Sequence, residues 1–201
     1  MQELTLTNSR SKTPGTYSFG VPGSYKHKTA LYQQVLNNIT LKSGQVVLEL
    51  SCPDKGRPEV QATIHGVHPD PMGGKPVLFG ISGTETGFGN GHSYIGTSWV
   101  DGSFDVIICL GIFNLTTDHS GTMAEIHRLL IPGGKLIIAD QWFRRTGPMF
   151  ANLLQQYGRS SDSRIYSPAW VTRLVKKSRF GMVDILASGP TNFLCTGTAI
   201  K

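Results

Sequence analysis

No run of about 18 or more apolar residues occurs anywhere in the chain, so a membrane-spanning helix is not expected. Charge is scarce: Asp, Glu, Lys and Arg make up 16% of the residues, and apolar residues only 39%. Cysteine is scarcer, with three widely spaced residues, Cys52, Cys109 and Cys195. An odd count without a Cys-x-x-Cys pair or a His-rich partner excludes a disulfide framework and a zinc finger. The three read as reduced core thiols, and no metal site is expected. The opening stretch, Met1 to Lys12, is polar and lacks the apolar centre of a secretory signal, which makes a cytoplasmic location the expectation.

What the chain has in quantity is turn-forming residues, 24 Gly and 11 Pro. Its 201 residues suit one domain. Residues 1–23 are rich in Ser, Thr, Gly and Pro without periodicity and read as a mobile arm. Residues 24–201 read as the domain. The formal net charge is +6, with basic residues gathered late: Arg144, Arg145, Arg159, Arg164, Arg173, Lys176, Lys177 and Arg179. The ordinary reading of such a run is a solvated helix face. The other is a surface for an acidic or phosphate-bearing partner. No recognition motif accompanies it, so nucleic acid is not expected.

Hydrophobic periodicity places the elements. Leu31, Val35, Leu36 and Ile39 form a helical stripe within Tyr25 to Asn38. Gln45 to Leu50 is a short apolar run between turns, a buried strand. Further strands are expected at Gln61 to Val67, at His92 to Gly96 and, most clearly, at Phe104 to Leu110. Thr122-Met-Ala-Glu125 reads as a capping box that opens a helix with Met123, Ile126, Leu129 and Leu130 inward. Pro132-Gly133-Gly134 ends it, and a strand follows at Lys135 to Ala139. Pro148 to Tyr157 reads as helical. Ser167-Pro168 is a strong helix start, leading Trp170, Val171, Leu174 and Val175 to the core. Two strands, Met182 to Ala187 and Phe193 to Ile200, close the chain. Their link is too short for a parallel crossover, so they form a hairpin. Alternation of strand and helix before them predicts an α/β fold whose sheet is mostly parallel.

Two blocks then carry a family resemblance. Asp101-Gly-Ser-Phe-Asp-Val-Ile-Ile-Cys109, with Asn114-Leu115 and Asp118, leads to Glu125-Ile-His-Arg-Leu-Leu-Ile-Pro-Gly-Gly-Lys-Leu-Ile-Ile-Ala-Asp140. Leu41-Lys-Ser-Gly-Gln-Val-Val-Leu-Glu-Leu50 is the second. Together they resemble class I S-adenosylmethionine-dependent methyltransferases of the type 11 domain, from about Tyr25 to Lys201. The Asn-Leu-x-x-Asp piece is similar to the branch that includes arsenite methyltransferases. The scattered cysteines make no arsenic site, so that substrate does not carry over. The resemblance implies a Rossmann-like class I methyltransferase fold with a C-terminal antiparallel hairpin.

It also implies where S-adenosylmethionine is held. The family's Gly-x-Gly-x-Gly loop after the first strand lets the cofactor lie against backbone. Here the loop reads Ser51-Cys52-Pro53-Asp54-Lys55-Gly56, with Ser51 and Pro53 where glycines are expected. Glu49, Ser51, Cys52 and Gly56 are the cofactor-loop positions, and Lys55 is a candidate partner for the cofactor carboxylate. The ribose acid falls on His68, with Asp70 two residues on. The adenine position falls on Thr97 and Ser98, beside Trp99. Leu110 ends the fourth family strand at the same edge. Met72 to Gly91 makes a poor helix and reads as a loop over this site.

The acceptor side falls after Leu110. His119 is the candidate general base, because an imidazole titrates near neutral pH, and Asn114 is a second candidate. Their ordinary readings are surface residues, and for Asp118 a helix cap. Asp140, Gln141 and Trp142 follow the next strand, and Tyr17 and Tyr25 of the arm could close over the pocket. Three functions stay open: a methyltransferase acting on a small molecule, a catalytically inactive methyltransferase-like protein with a binding or regulatory role toward a protein partner, and other chemistry in the same pocket.

Overall fold

The structure is a computed structural model that describes residues 31, 34–51, 60–68, 77–81, 86–88, 97–113, 116, 118–142, 166–189 and 192–201. The expected arm, the helix over Pro148 to Tyr157 and the strand at His92 to Gly96 lie outside them, as do Tyr17 and Tyr25. No helix among the described residues is long and apolar enough to cross a membrane.

One eight-stranded sheet organises these residues. In chain order it comprises β1 (Val46–Ser51), β2 (Val60–His68), β3 (Val77–Ile81), β4 (Thr86–Phe88), β5 (Phe104–Leu110), β6 (Leu130–Gln141), β7 (Phe180–Ser188) and β8 (Asn192–Ala199). Two helices, α1 (His119–Leu129) and α2 (Pro168–Lys177), pack on one face of it, and the described residues 31 and 34–38 are helical on the other. The order across the sheet is β3-β2-β1-β5-β6-β8-β7, with β4 also paired to β2.

The half from β1 through β5 and β6 to β7 follows the expectation. β1 is parallel to β5, and β5 to β6. β8 lies antiparallel to β6, and β7 pairs with β8 in the predicted hairpin. All of β5 except half-buried Asp105 is inaccessible, as its apolar run from Val106 to Leu110 requires. Leu48, Leu50, Ile107, Cys109, Leu136 and Ile138 point to one face, under Met123, Ile126 and Leu129 of α1 and Val171 and Val175 of α2. Val47, Val106, Ile108, Leu110, Ile137 and Ala139 point to the other, against Leu31 and Val35.

The other half differs from the expectation. β2 runs antiparallel to β1, with Ser51 opposite Gln61 and Val46 opposite Gly66. β3 and β4 are antiparallel to β2. The sheet is therefore mixed rather than mostly parallel. The reason is chain length: only residues 52–59 separate β1 from β2, whereas a parallel return takes about a dozen residues or more. β3 and β4 also replace with strand a part of the segment 72–91 that reads as loop.

Two local starts differ too. α1 opens at His119, with Asp118 as its cap accepting from the Gly121 amide at 2.8 Å. Thr122 is buried inside the first turns, its hydroxyl donating to the Asp118 carbonyl at 3.0 Å, so the supposed capping box is not one. β6 begins at Leu130, ahead of Pro132-Gly133-Gly134, which form a bulge opposite Phe104 to Val106. Gly133 turns there with φ +76. A Cβ on Gly134 would stand 2.9 Å from the Ile131 carbonyl oxygen and 3.1 Å from that of Asp105. α2 starts as expected, with Ser167 accepting from the Trp170 amide and Pro168 in the first turn.

Candidate functional site

In open α/β sheets ligands bind beyond the carboxyl ends of the parallel strands. Here that edge is formed by Ser51, Leu110 and Ala139, aligned across β1, β5 and β6. Beyond Leu110 the chain turns at Gly111, whose φ of +64 suits glycine and whose amide donates to the Ala139 carbonyl at 3.0 Å. Ile112 and Phe113 then return to the core. Of the cofactor positions expected from the sequence, Ser51, Leu110 and Glu49 are brought together.

Glu49 lies on the same face of β1 as Ser51. Its carboxylate is 3.0 Å from His65 Nε2, and both residues are buried, at 4% and 7% exposure. The two are diagonal neighbours, since Glu49 stands opposite Thr63 and Val47 opposite His65. His65 is the residue that sequence reading missed. The signal was available: in Thr63-Ile64-His65-Gly66-Val67 the alternation puts His65 on the same inward face as Val67.

The other cofactor positions among the described residues, His68, Thr97 and Ser98, do not join them. Because β2 is reversed, His68 lies past the start of β1, about 24 Å along β2 from the Ser51 edge at ~3.4 Å per residue. Cys52, Pro53, Lys55, Gly56 and Asp70 lie outside the described residues. Thr97 sits ahead of β5, near the strand's amino end, beside the middle of α1. Its amide and hydroxyl both donate to Glu125 Oε1, at 2.8 and 2.7 Å. Arg128 joins them, donating to both oxygens of Glu125 at 2.8 Å, to the Trp99 carbonyl at 2.7 Å and to Asp101 at 2.6 Å. Burial pushes the Glu125 carboxyl up, but the hydrogen bonds from Arg128 and Thr97 and the Arg128 charge outweigh it and hold the group below its ordinary value. Thr97 is thus a clamp between α1 and β5, and exposed Ser98 follows it at the same end. Trp99 packs edge-on against Phe104 at 5.4 Å, a hydrophobic plug.

On the acceptor side, His119 opens α1 and Asn114 lies outside the described residues. His119 Nε2 is 3.0 Å from the Phe113 carbonyl oxygen. A carbonyl only accepts, so Nε2 carries the proton and Nδ1 is the basic nitrogen. The ring lies parallel to Phe113 and meets Tyr166 and Trp170 edge-on, at 4.8 and 5.0 Å. Tyr166 and Trp170 stack on each other at 4.0 Å. Thr116, between Phe113 and His119 in the chain, is buried, and its hydroxyl has no hydrogen-bond partner among the described residues. Asp140 is buried on the helix-covered face, where its charge adds to burial in raising the Cys109 thiol. Trp142 donates from Nε1 to the Gly189 carbonyl at 3.0 Å, which turns it toward the β7–β8 link.

Residues 93–138 match the family model described as a methyltransferase domain. This segment is methyltransferase-like. It spans β5, α1 and β6 as far as Ile138, the unit whose carboxyl edge carries Leu110 and Ala139. The match supports S-adenosylmethionine as the cofactor and agrees with the class I resemblance of the sequence blocks. Among curated proteins, the chain is 40% identical over 58 residues to an arsenite methyltransferase of Aquipseudomonas alcaligenes, covering 27% of this chain and 17% of that protein. It is 29% identical over 107 residues to a polyketide synthase-nonribosomal peptide synthetase of Pyricularia oryzae, 48% of this chain and 3% of that protein. The chain thus spans a small part of these relatives. A solved Thermotoga maritima structure, described as a methyltransferase and possible histamine N-methyltransferase, aligns with a TM-score of 0.41 at 19% identity, over 51% of this chain and 59% of that one.

Proposed function

We propose that the chain is an S-adenosylmethionine-dependent methyltransferase acting on a small molecule. The observation that carries this reading is that the methyltransferase-domain match falls on β5, α1 and β6, whose carboxyl edge aligns with Ser51 of β1. That edge fits a cofactor laid across strand ends. Of the positions that the resemblance assigns to ribose and adenine, His68 and Thr97 do not fit, and Asp70 lies outside the described residues. β2 carries His68 to the opposite end, and the Thr97 hydroxyl is engaged by Glu125. Among the described residues, this reading leaves the β1 edge at Ser51 as the place for those groups. On the acceptor side, His119 is the candidate base through Nδ1, held in orientation by the Phe113 carbonyl and the surrounding rings. Asn114 remains a second candidate.

The reversed β2 favours a second reading, a methyltransferase-like protein without turnover that serves a protein partner. Titration calorimetry with S-adenosylmethionine and S-adenosylhomocysteine separates the two. The enzyme reading expects saturable binding with Kd of about 10–100 μM, equivalent to roughly −5.5 to −7 kcal/mol. Binding should weaken in a folded Glu49→Gln variant. No heat at millimolar ligand from the folded protein would refute it in favour of the second.

A further inference from the structure

β2 brings to the candidate site one titratable residue that the resemblance does not assign to it. Because the strand runs antiparallel to β1, Val47 stands opposite His65 and Glu49 opposite Thr63, which makes His65 the diagonal neighbour of Glu49. The reversal that carries His68 away from the Ser51 edge is therefore what brings His65 in. His65 Nε2 lies 3.0 Å from Glu49 Oε2. An ionised carboxylate only accepts, so the imidazole donates through its Nε2 proton.

The surroundings give this bond its weight. Both residues are buried, and their face of the sheet is otherwise lined by Val47, Val67, Ile108 and Leu110. On the β5 side Glu49 stands beside Ile108, whose side chain has nothing to donate. A carboxylate in such a setting stays ionised only where donors or cations hold it. One bond from His65 takes one of about four positions at which a carboxylate can accept, so it fixes the group without using up its capacity. Ser51 follows on the same face, two residues or about 7 Å further along β1, at the carboxyl edge.

We propose that His65 is a positioning residue for cofactor binding: it holds the Glu49 carboxylate ionised and in place, and that carboxylate serves the positive end of S-adenosylmethionine. The proposal rests on the reading of the Ser51 edge as the cofactor site and adds to it a residue that acts through Glu49. Two groups of the cofactor are positive, the α-ammonium and the sulfonium, and a buried carboxylate is a fitting partner for either. S-adenosylhomocysteine keeps the ammonium and lacks the sulfonium, so the pair of ligands tells the two apart.

The test is titration calorimetry with both ligands on the full chain, as wild type, His65→Leu, His65→Gln, Glu49→Gln and the Glu49→Gln/His65→Leu double variant, each shown to be folded by circular dichroism. His65→Leu is expected to weaken S-adenosylmethionine about tenfold. His65→Gln, whose amide can donate from the same place, should stay within about threefold of wild type. In the Glu49→Gln background His65→Leu should change affinity less than about twofold, because the group it acts through is gone. A purely structural role predicts an equal loss in both backgrounds, and that result would overturn the proposal, as would wild-type affinity in His65→Leu. Should His65→Leu not fold, the wild type gives its own reading: the His65 imidazole nitrogen resonances should move on saturation with S-adenosylmethionine, and resonances that stand still would overturn the proposal too. Any of these failures beside normal wild-type binding sinks the role of His65 alone, whereas no binding in the wild type sinks the reading beneath it as well.

Discussion

Glu125→Gln removes one charge from the clamp that ties α1 to the segment ahead of β5 and changes little else. In the wild type both carboxylate oxygens accept from Arg128 at 2.8 Å, and one also accepts twice from Thr97. An amide can keep the oxygen that faces Thr97, but its nitrogen then meets a donor of Arg128. The loss is one charge-assisted bond with its partner left facing a donor, about 1–2 kcal/mol after allowing for the partial exposure of Arg128. At roughly 2–4 °C per kcal/mol for a chain of this size, the melting temperature falls by about 2–8 °C. The pH dependence has a definite sign. Glu125 is held below its ordinary value in the folded state, so its contribution is complete above about pH 5, declines as the unfolded carboxyl protonates, and is lost as pH falls through the lowered folded value. Urea unfolding followed by circular dichroism, from neutral pH down to about pH 3, should show the gap between wild type and variant closing in acid. A gap below about 0.5 kcal/mol at neutral pH, or one that widens in acid, would refute the clamp.

Three further outcomes follow from the same geometry. Gly134→Ala should cost about 1–3 kcal/mol in urea unfolding, because its Cβ meets the Ile131 and Asp105 carbonyls, which cannot swing aside as the Leu130 side chain beside them can. Burial pushes both the Cys109 and Cys195 thiols up, so neither should be alkylated by iodoacetamide at mildly alkaline pH in the native protein, while both react in urea; peptide mapping by mass spectrometry reads this. His68→Ala should leave S-adenosylmethionine affinity in calorimetry within about twofold of wild type, since β2 carries the residue to the far end of the sheet.

Much of the fold was legible where local pattern and tertiary role coincide. The apolar run of β5, the Ser167-Pro168 cap and the short link between β7 and β8 each have one structural solution, and the structure adopts it. The direction of β2 was missed because alternation reports which face a residue takes, not which way its strand runs. Length of the link was the informative quantity: the argument that makes β7 and β8 a hairpin applies as well to residues 52–59. β3 and β4 were read as loop because of Gly80 and Gly87, yet glycine is tolerated in short outlying strands. Thr122 and Glu125 have capping-box spacing, but that spacing also suits a buried hydroxyl below a true cap at Asp118. For the site, Ser51, Leu110 and Glu49 came together because they share neighbouring strands of known direction. His68 and Thr97 did not, since their assignment presumed a parallel β2 and a complete crossover ahead of β5.

The reversal of β2 also bears on how the chain assembles. β1 with β2, and β7 with β8, are joined by short links, so each pair can form through local encounters with little loop-closure cost. Joining β1 to β5 is different. The Val46 amide reaches the Asp105 carboxylate at 2.8 Å across 59 residues of sequence. That single seam divides a locally closed meander from the methyltransferase-like unit of β5, α1 and β6. Amide exchange should find it the slowest junction to form and the line along which the sheet parts into two cooperative pieces.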